Sequence, residues 1–168
     1  KKINSLLLVN KKNSNDKTVI EINNNYILKK IFSKILNILM NKFEKTYHSV
    51  CFFNSTILKK IDEVNPDIVH LNWIGNEMIS IEEISKIKKP VVWTFQDMWA
   101  FTGTEHYTFK KNYYYNHKQS NKSYNIFSFL SWWTWNRKKI FLKKDMHIVC
   151  STDWMKKKVF SSRIFYKN

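Results

Sequence analysis

Two short segments carry the side chains best suited to chemistry. Asn72-Trp73-Ile74-Gly75-Asn76 follows the apolar run DIVHL, and Gln96-Asp97-Met98-Trp99 follows VVWTF. Asp97 is a carboxylate that can orient a hydroxyl or take its proton. It can equally cap its own loop by accepting backbone N–H bonds. Glu105, His106 and Tyr107 follow as a polar cluster, able to bond hydroxyls or to serve the loop itself. Asn72 and Gln96 can hydrogen-bond a hydroxyl or a phosphate oxygen, but neither exchanges a proton near neutral pH. Trp73 and Trp99 offer faces for stacking, although a large aromatic near a strand end commonly belongs to the core. Gly103 permits a tight turn or a close backbone approach.

Other chemistries lack their residues. The chain has 2 glycines, Gly75 and Gly103, too far apart for a phosphate-cradling loop. His48, His70, His117 and His147 show no metal-ligand spacing with each other or with a cysteine, so no metal is expected. His70 and His147 lie in strand-like runs and read as hydrogen-bonded core histidines. Cys51 and Cys150 sit in VCFF and HIVC and read as buried free thiols. No G-x-S-x-G elbow and no Cys/His nucleophile pair is present.

Positioning the two segments falls to elements that alternate along the chain. The spacing predicts strands over residues 5–9, 18–22, 48–53, 67–71, 91–95 and 146–150. Helices are predicted over 26–45, 55–64, 80–89, 126–142 and 152–160. Asn23 to Asn25 reads as a turn, and Ser55 and Ser151 or Thr152 as caps. Ser80-Ile81-Glu82-Glu83 matches a capping box, and Asn65-Pro66 and Pro90 stop the helices before them. Residues 96–107 form a loop, and 108–124 is polar and aromatic without a period. Continuous apolar strands alternating with helices predict an α/β fold, a parallel sheet with helices on both faces. In such sheets ligands sit beyond the carboxyl ends of the strands, where both segments lie.

The chain has 168 residues and a formal net charge of +16, with 29 Lys and Arg against 13 Asp and Glu. One domain fits that length. The charge suits either a diffusely basic surface or a patch for a polyanion such as an anionic membrane surface. The amphipathic helix over 26–45, with Lys30, Lys34, Asn37 and Asn41 opposite its apolar stripe, can lie in a membrane interface or pack on the sheet. The aromatic and basic stretch over 113–139 could stack bases, but nucleic acid is not an expected partner. The start, KKINSLLLVNKK, is too short for a signal-peptide core, and no run nears the ~18 apolar residues of a membrane span. The expected place is cytoplasmic, or peripheral at the inner face of a membrane.

Residues 65–107 read NPDIVHLNWIGNEMISIEEISKIKKPVVWTFQDMWAFTGTEHY. This closely resembles the N-terminal domain of family 4 glycosyltransferases of the GT-B fold, whose pattern runs NPDIVHLHW, an acidic helix, then KKP[IV]VWTLHDMWAFTGG-x-HY. Trp132, Trp133, Trp135, Arg137-Lys138-Lys139, MHIV and the segment 151–154 are similar to the same subfamily. The resemblance covers roughly residues 50–160.

The resemblance implies a Rossmann-like, acceptor-side domain, the N-terminal half of a GT-B enzyme. Such an enzyme moves a sugar from a nucleotide diphosphate sugar to a glycan or lipid-linked acceptor hydroxyl. It retains the anomeric configuration, usually without a metal, and the donor is a substrate, so no cofactor is implied. The donor-binding second domain, with its Glu-x7-Glu pair, is not found in this chain, which is therefore expected to be inactive alone. The implied catalytic residues are Asp97, Gln96 and His106. The implied substrate-binding residues are Asn72, Trp73, Gly75, Trp99, Gly103, Glu105 and Tyr107. Three positions depart from the family. Residues 10–14 hold no glycine, Gln96 stands where the family has His, and Asn72 stands where it has His. The reading from another class is a non-catalytic remnant or binding module that docks on a membrane or a partner chain.

Overall fold

A computed structural model of the chain describes residues 3–22, 25–110, 126–142 and 145–165. The predicted turn at Asn23 and Asn24, most of the aperiodic segment over 108–124, and His117 lie outside the described residues.

Among the described residues, short parallel strands alternate with helices. β1 (Leu7–Val9) and β2 (Val19–Glu21) pair in parallel, Leu7 opposite Val19, as a sheet of their own. The helices α1 (Tyr26–Met40) and α2 (Ile57–Val64) follow. The second sheet has the order β3 (Val69–Leu71), β4 (Val91–Phe95), β5 (His147–Cys150), all parallel with β4 central. Between β3 and β4 lies α3 (Ile81–Lys86); between β4 and β5 lies α4 (Ile126–Phe141); α5 (Asp153–Ser161) comes last. Residues 48–53, predicted as a strand, make only an isolated antiparallel bridge, His48 to Glu105.

The helix signals act as their chemistry requires. The Ser80 hydroxyl accepts the Glu83 N–H at 3.2 Å, and the Glu83 carboxylate accepts the Ser80 N–H at 3.0 Å. The same carboxylate accepts the Ser55 N–H at 2.9 Å, tying the entry of α2 to the start of α3. Thr56, not Ser55, occupies the cap position of α2, while the Ser55 hydroxyl accepts the Ile57 N–H at 3.2 Å. Asn65, left-handed at φ 48°, ends α2, and Pro66 follows. Thr152 caps α5 by accepting the Met155 N–H at 3.1 Å.

The main core lies on one face of the β3-β4-β5 sheet. Val91, Trp93 and Phe95 of β4 are buried there with Leu71, Ile84 and Phe165. By register, His70, Val92, Thr94, His147 and Val149 share the other face, where His70, His147 and Val149 are exposed. Cover on both faces, expected from the sequence, is thus not seen among the described residues. His70 and His147 are not core histidines: the His70 ring meets the Thr94 hydroxyl at 2.8 Å across an exposed face. Among the described residues the buried histidines are His48 and His106. Cys51 is buried and Cys150 half-buried, both as free thiols.

α1 ends at Met40, short of the predicted Lys45, and sits opposite to the sheet-packing expectation. Its buried residues are Lys29, Ser33, Leu36, Asn37 and Met40. The cause is specific pairing. Lys29 donates to the Asn54 carbonyl at 2.8 Å. The Asn37 amide donates to the His48 carbonyl at 2.9 Å and accepts the His48 N–H at 2.7 Å. These bonds hold Lys29, Ser33 and Asn37 inward beside Leu36 and Met40, and Ile27, Leu28, Ile31, Ile35, Ile38 and Leu39 face out.

Candidate functional site

Because β3 and β4 are parallel neighbours, the segments after them leave the sheet at the same end. They close on a crevice lined by Asn72, Trp73, Gly75, Gln96, Asp97, Trp99 and His106 together with Trp93, Thr94 and Phe95 at the end of β4. The space within it that a water can occupy is about 20 Å³, room for about one water.

Asp97 is the hub. One carboxylate oxygen accepts the Trp99 N–H at 2.9 Å and starts the helical turn Trp99–Phe101. The other lies 2.5 Å from His106 Nδ1. His106 Nε2 lies 3.0 Å from the Ser49 hydroxyl. Nδ1 faces the carboxylate, and Nε2 shares a hydrogen bond with the Ser49 hydroxyl. Both ring nitrogens are therefore occupied. The backbone repeats the link: His106 N–H donates to the Tyr47 carbonyl at 2.8 Å, and Met98 N–H to the His106 carbonyl at 2.8 Å. Trp99 is buried, its indole N–H donating to the Ser49 carbonyl at 2.8 Å, its ring stacked near His106. The order Asp, His, Ser is the one that activates a serine nucleophile. Ser49, however, is fully buried, so its hydroxyl orients the imidazole rather than meeting a substrate.

The other side of the crevice is more open. Trp73 is 43% exposed and stands 5.7 Å, centroid to centroid, from His106. A Cβ on Gly75 would come within 2.7 Å of the Trp73 ring, so glycine lets the indole lie over the loop. Asn72 and Gln96 are exposed. Asp97 is half-buried, with one edge toward the crevice.

Three predicted site residues lie elsewhere. Glu105 is buried under α4, where the Ser131 hydroxyl donates to it at 2.6 Å. Gly103 packs against Ser131, whose carbonyl oxygen would be 2.6 Å from any added Cβ. Tyr107 is exposed, and its phenol donates to the Gln96 carbonyl at 2.9 Å, bracing the rim from outside. Sequence reasoning missed Ser49 and Tyr47. Their signal was faint: polar residues beside the apolar run VCFF, in a segment read as a strand. The Tyr47 phenol and the Ser33 hydroxyl both donate to the Asn76 side-chain oxygen, which joins α1 to the Trp73 loop.

No protein-family model, curated protein or solved structure matches this chain.

Among the described residues no group of His, Cys, Asp and Glu could hold a metal. His48 sits just behind the relay, Nδ1 3.1 Å from the Thr104 hydroxyl and Nε2 3.0 Å from the Glu44 carbonyl. Burial lowers its pKa below the usual 6.5, against the pull of the Glu44 carbonyl and the Glu105 carboxylate. A depressed folded-state value means the folded chain resists the proton. The stability this group contributes is complete above about 6.5 and is lost as pH falls from there through the folded-state value. The urea midpoint is therefore expected to drop between about pH 7.5 and about pH 5, and less steeply in His48→Gln. Equal slopes in both proteins would show that His48 plays no part.

Proposed function

We propose that the mouth of the crevice, where Asn72, Trp73 and Gln96 are exposed, receives the acceptor sugar of a glycosyl transfer, with at most one hydroxyl entering the crevice itself, and that the chain is the acceptor-side, Rossmann-like half of a GT-B glycosyltransferase. One observation carries the reading. The two segments that resemble the family, separated in sequence by a helix and a strand, converge on one crevice at the carboxyl ends of adjacent parallel strands.

In this reading the acceptor hydroxyl oxygen bonds the anomeric carbon of the donor while the bond from that carbon to the diphosphate oxygen breaks. The hydroxyl must be oriented and must shed its proton. Asp97 is the carboxylate at the crevice, held rigid by His106 and Trp99, with lone pairs left for a hydroxyl. His106 and Ser49 position it. Trp73 offers its exposed face to a sugar ring, and Asn72 and Gln96 offer amides to hydroxyls. Glu105 and Gly103 support the turn from beneath. The nucleotide diphosphate sugar belongs to a second, donor-binding domain. The rival, a binding module without turnover, is favoured by Asn72 and Gln96, which cannot exchange a proton near neutral pH.

Calorimetric titration of the chain with oligosaccharide acceptors and nucleotide sugars tests the proposal. An oligosaccharide should bind, and Asp97→Ala should weaken it about 10- to 100-fold, the worth of one charged hydrogen bond. Absence of any saccharide binding, or equal affinity in Asp97→Ala, would contradict it. If binding instead falls steeply with salt whatever the ligand, the basic surface alone is responsible.

A further inference from the structure

We propose that the outward face of α1 docks on an anionic lipid bilayer, independently of what the crevice binds. Ile27, Leu28, Ile31, Ile35, Ile38 and Leu39 are between 42% and 73% exposed along one side of the helix. Monomeric soluble proteins seldom leave a contiguous apolar stripe of this extent in water. The helix cannot roll to hide it, because Lys29, Ser33 and Asn37 on the opposite side are tied inward by hydrogen bonds. The stripe continues past the helix: Phe43 is half-exposed and stacks on Phe127 at 4.1 Å, where exposed Ile126 and Phe129 begin α4.

Charge selects the partner. α1 contains no acidic residue, and exposed Lys30 and Lys34 border its apolar stripe, with exposed Lys42 and Lys45 just beyond. The formal net charge of the whole chain is +16. A second copy docked across a two-fold axis would bring lysine rim against lysine rim. Anionic headgroups instead neutralise the rim while the isoleucines and leucines enter the acyl boundary. With 15 residues the helix is about 22 Å long, so it lies in the interface and does not cross it. No helix among the described residues is long and apolar enough to cross a membrane.

Co-sedimentation of the full chain with vesicles tests this, using phosphatidylcholine alone and phosphatidylcholine with about 30% phosphatidylglycerol. The chain should partition onto the anionic vesicles and only weakly onto the neutral ones. Ile31→Glu with Ile35→Glu should lower partitioning at least about tenfold, and Lys30→Glu with Lys34→Glu should lower it and weaken its salt dependence. Both pairs are solvent-facing, so the far-UV circular dichroism should be unchanged. Should the glutamate pair lose that signal, an Ile35→Cys, Cys150→Ser protein carrying an environment-sensitive fluorophore reports instead. Its emission should shift blue on anionic vesicles, and an unshifted spectrum would overturn the proposal. So would absence of anionic binding, or binding untouched by the glutamate pair. A lipid-independent dimer broken by that pair would overturn it in favour of a second copy.

Discussion

Glu77→Ala is expected to lower the unfolding free energy by about 3–5 kcal/mol, enough to leave a domain of this size barely folded. Glu77 is fully buried and accepts three consecutive backbone N–H groups: Val50 at 3.1 Å, Cys51 at 2.6 Å and Phe52 at 2.6 Å. The opposite side of the same backbone belongs to Arg137, which donates to the Val50 and Cys51 carbonyls at 3.0 Å each. Arg137 is itself fixed by two bonds to Glu82, at 2.7 and 2.6 Å. Burial alone would raise the Glu82 carboxyl, but the guanidinium holds it below the usual range. Cys51 has φ 48°, a conformation that costs a non-glycine residue about 1–2 kcal/mol. The carboxylate and the guanidinium hold it there. Alanine at 77 orphans three buried donors, and Glu77→Gln, which keeps the volume and one acceptor oxygen, should lose less. Urea denaturation of the three proteins decides it. A loss below about 1 kcal/mol in Glu77→Ala would mean that water or a rearranged backbone satisfies those donors.

Lys138→Ala should cost a similar amount, about 3–5 kcal/mol. The ammonium is fully buried, donates to the carbonyls of Trp99, Thr102 (3.3 Å) and Gly103 (2.6 Å), and lies 3.7 Å from the centre of the Trp99 ring. It closes the carbonyl end of the turn that Asp97 opens, so the two charges clamp Trp99 between them. Burial drives its pKa well below the usual lysine range, with Cys51, Glu105 and Asp97 opposing. Removal leaves three carbonyls without their donor and a cavity beside Trp99. Lys138→Met refills the volume without the donor, so its loss should be smaller and isolates the hydrogen-bond share. Thermal or urea unfolding gives both values. Near-wild-type stability in Lys138→Ala would show that the turn holds without the clamp.

These two residues mark where the sequence was legible and where it was not. VVWTF was read to the residue as a strand, because its alternate side chains are large and β-forming and Pro90 sets its start. Ser80 and Glu83 announced the start of α3 by a local pairing that needs no knowledge of the rest. The crevice residues around Asp97 were found because parallel strands release their loops at one end. The burial of Lys138 and Arg137 was not legible: nothing local in a basic triplet says that two of its three members turn inward to bond carbonyls. α1 was ambiguous for the same reason. Its 3.6-residue period fixes that one side is apolar, while which side faces inward is decided by partners 11 to 43 residues away. Ser49 and Glu77 share this long-range dependence, which no spacing along the chain records.

The most direct test of the crevice is residue-resolved: titrating the isotopically labelled chain with the tightest-binding oligosaccharide from calorimetry and following amide and indole resonances by NMR. The largest shifts should fall on Asn72, the Trp73 indole, Gly75, Gln96 and Asp97, and should vanish in Trp73→Ala. Shifts scattered over the surface lysines, or centred away from the ends of β3 and β4, would contradict a sugar site there.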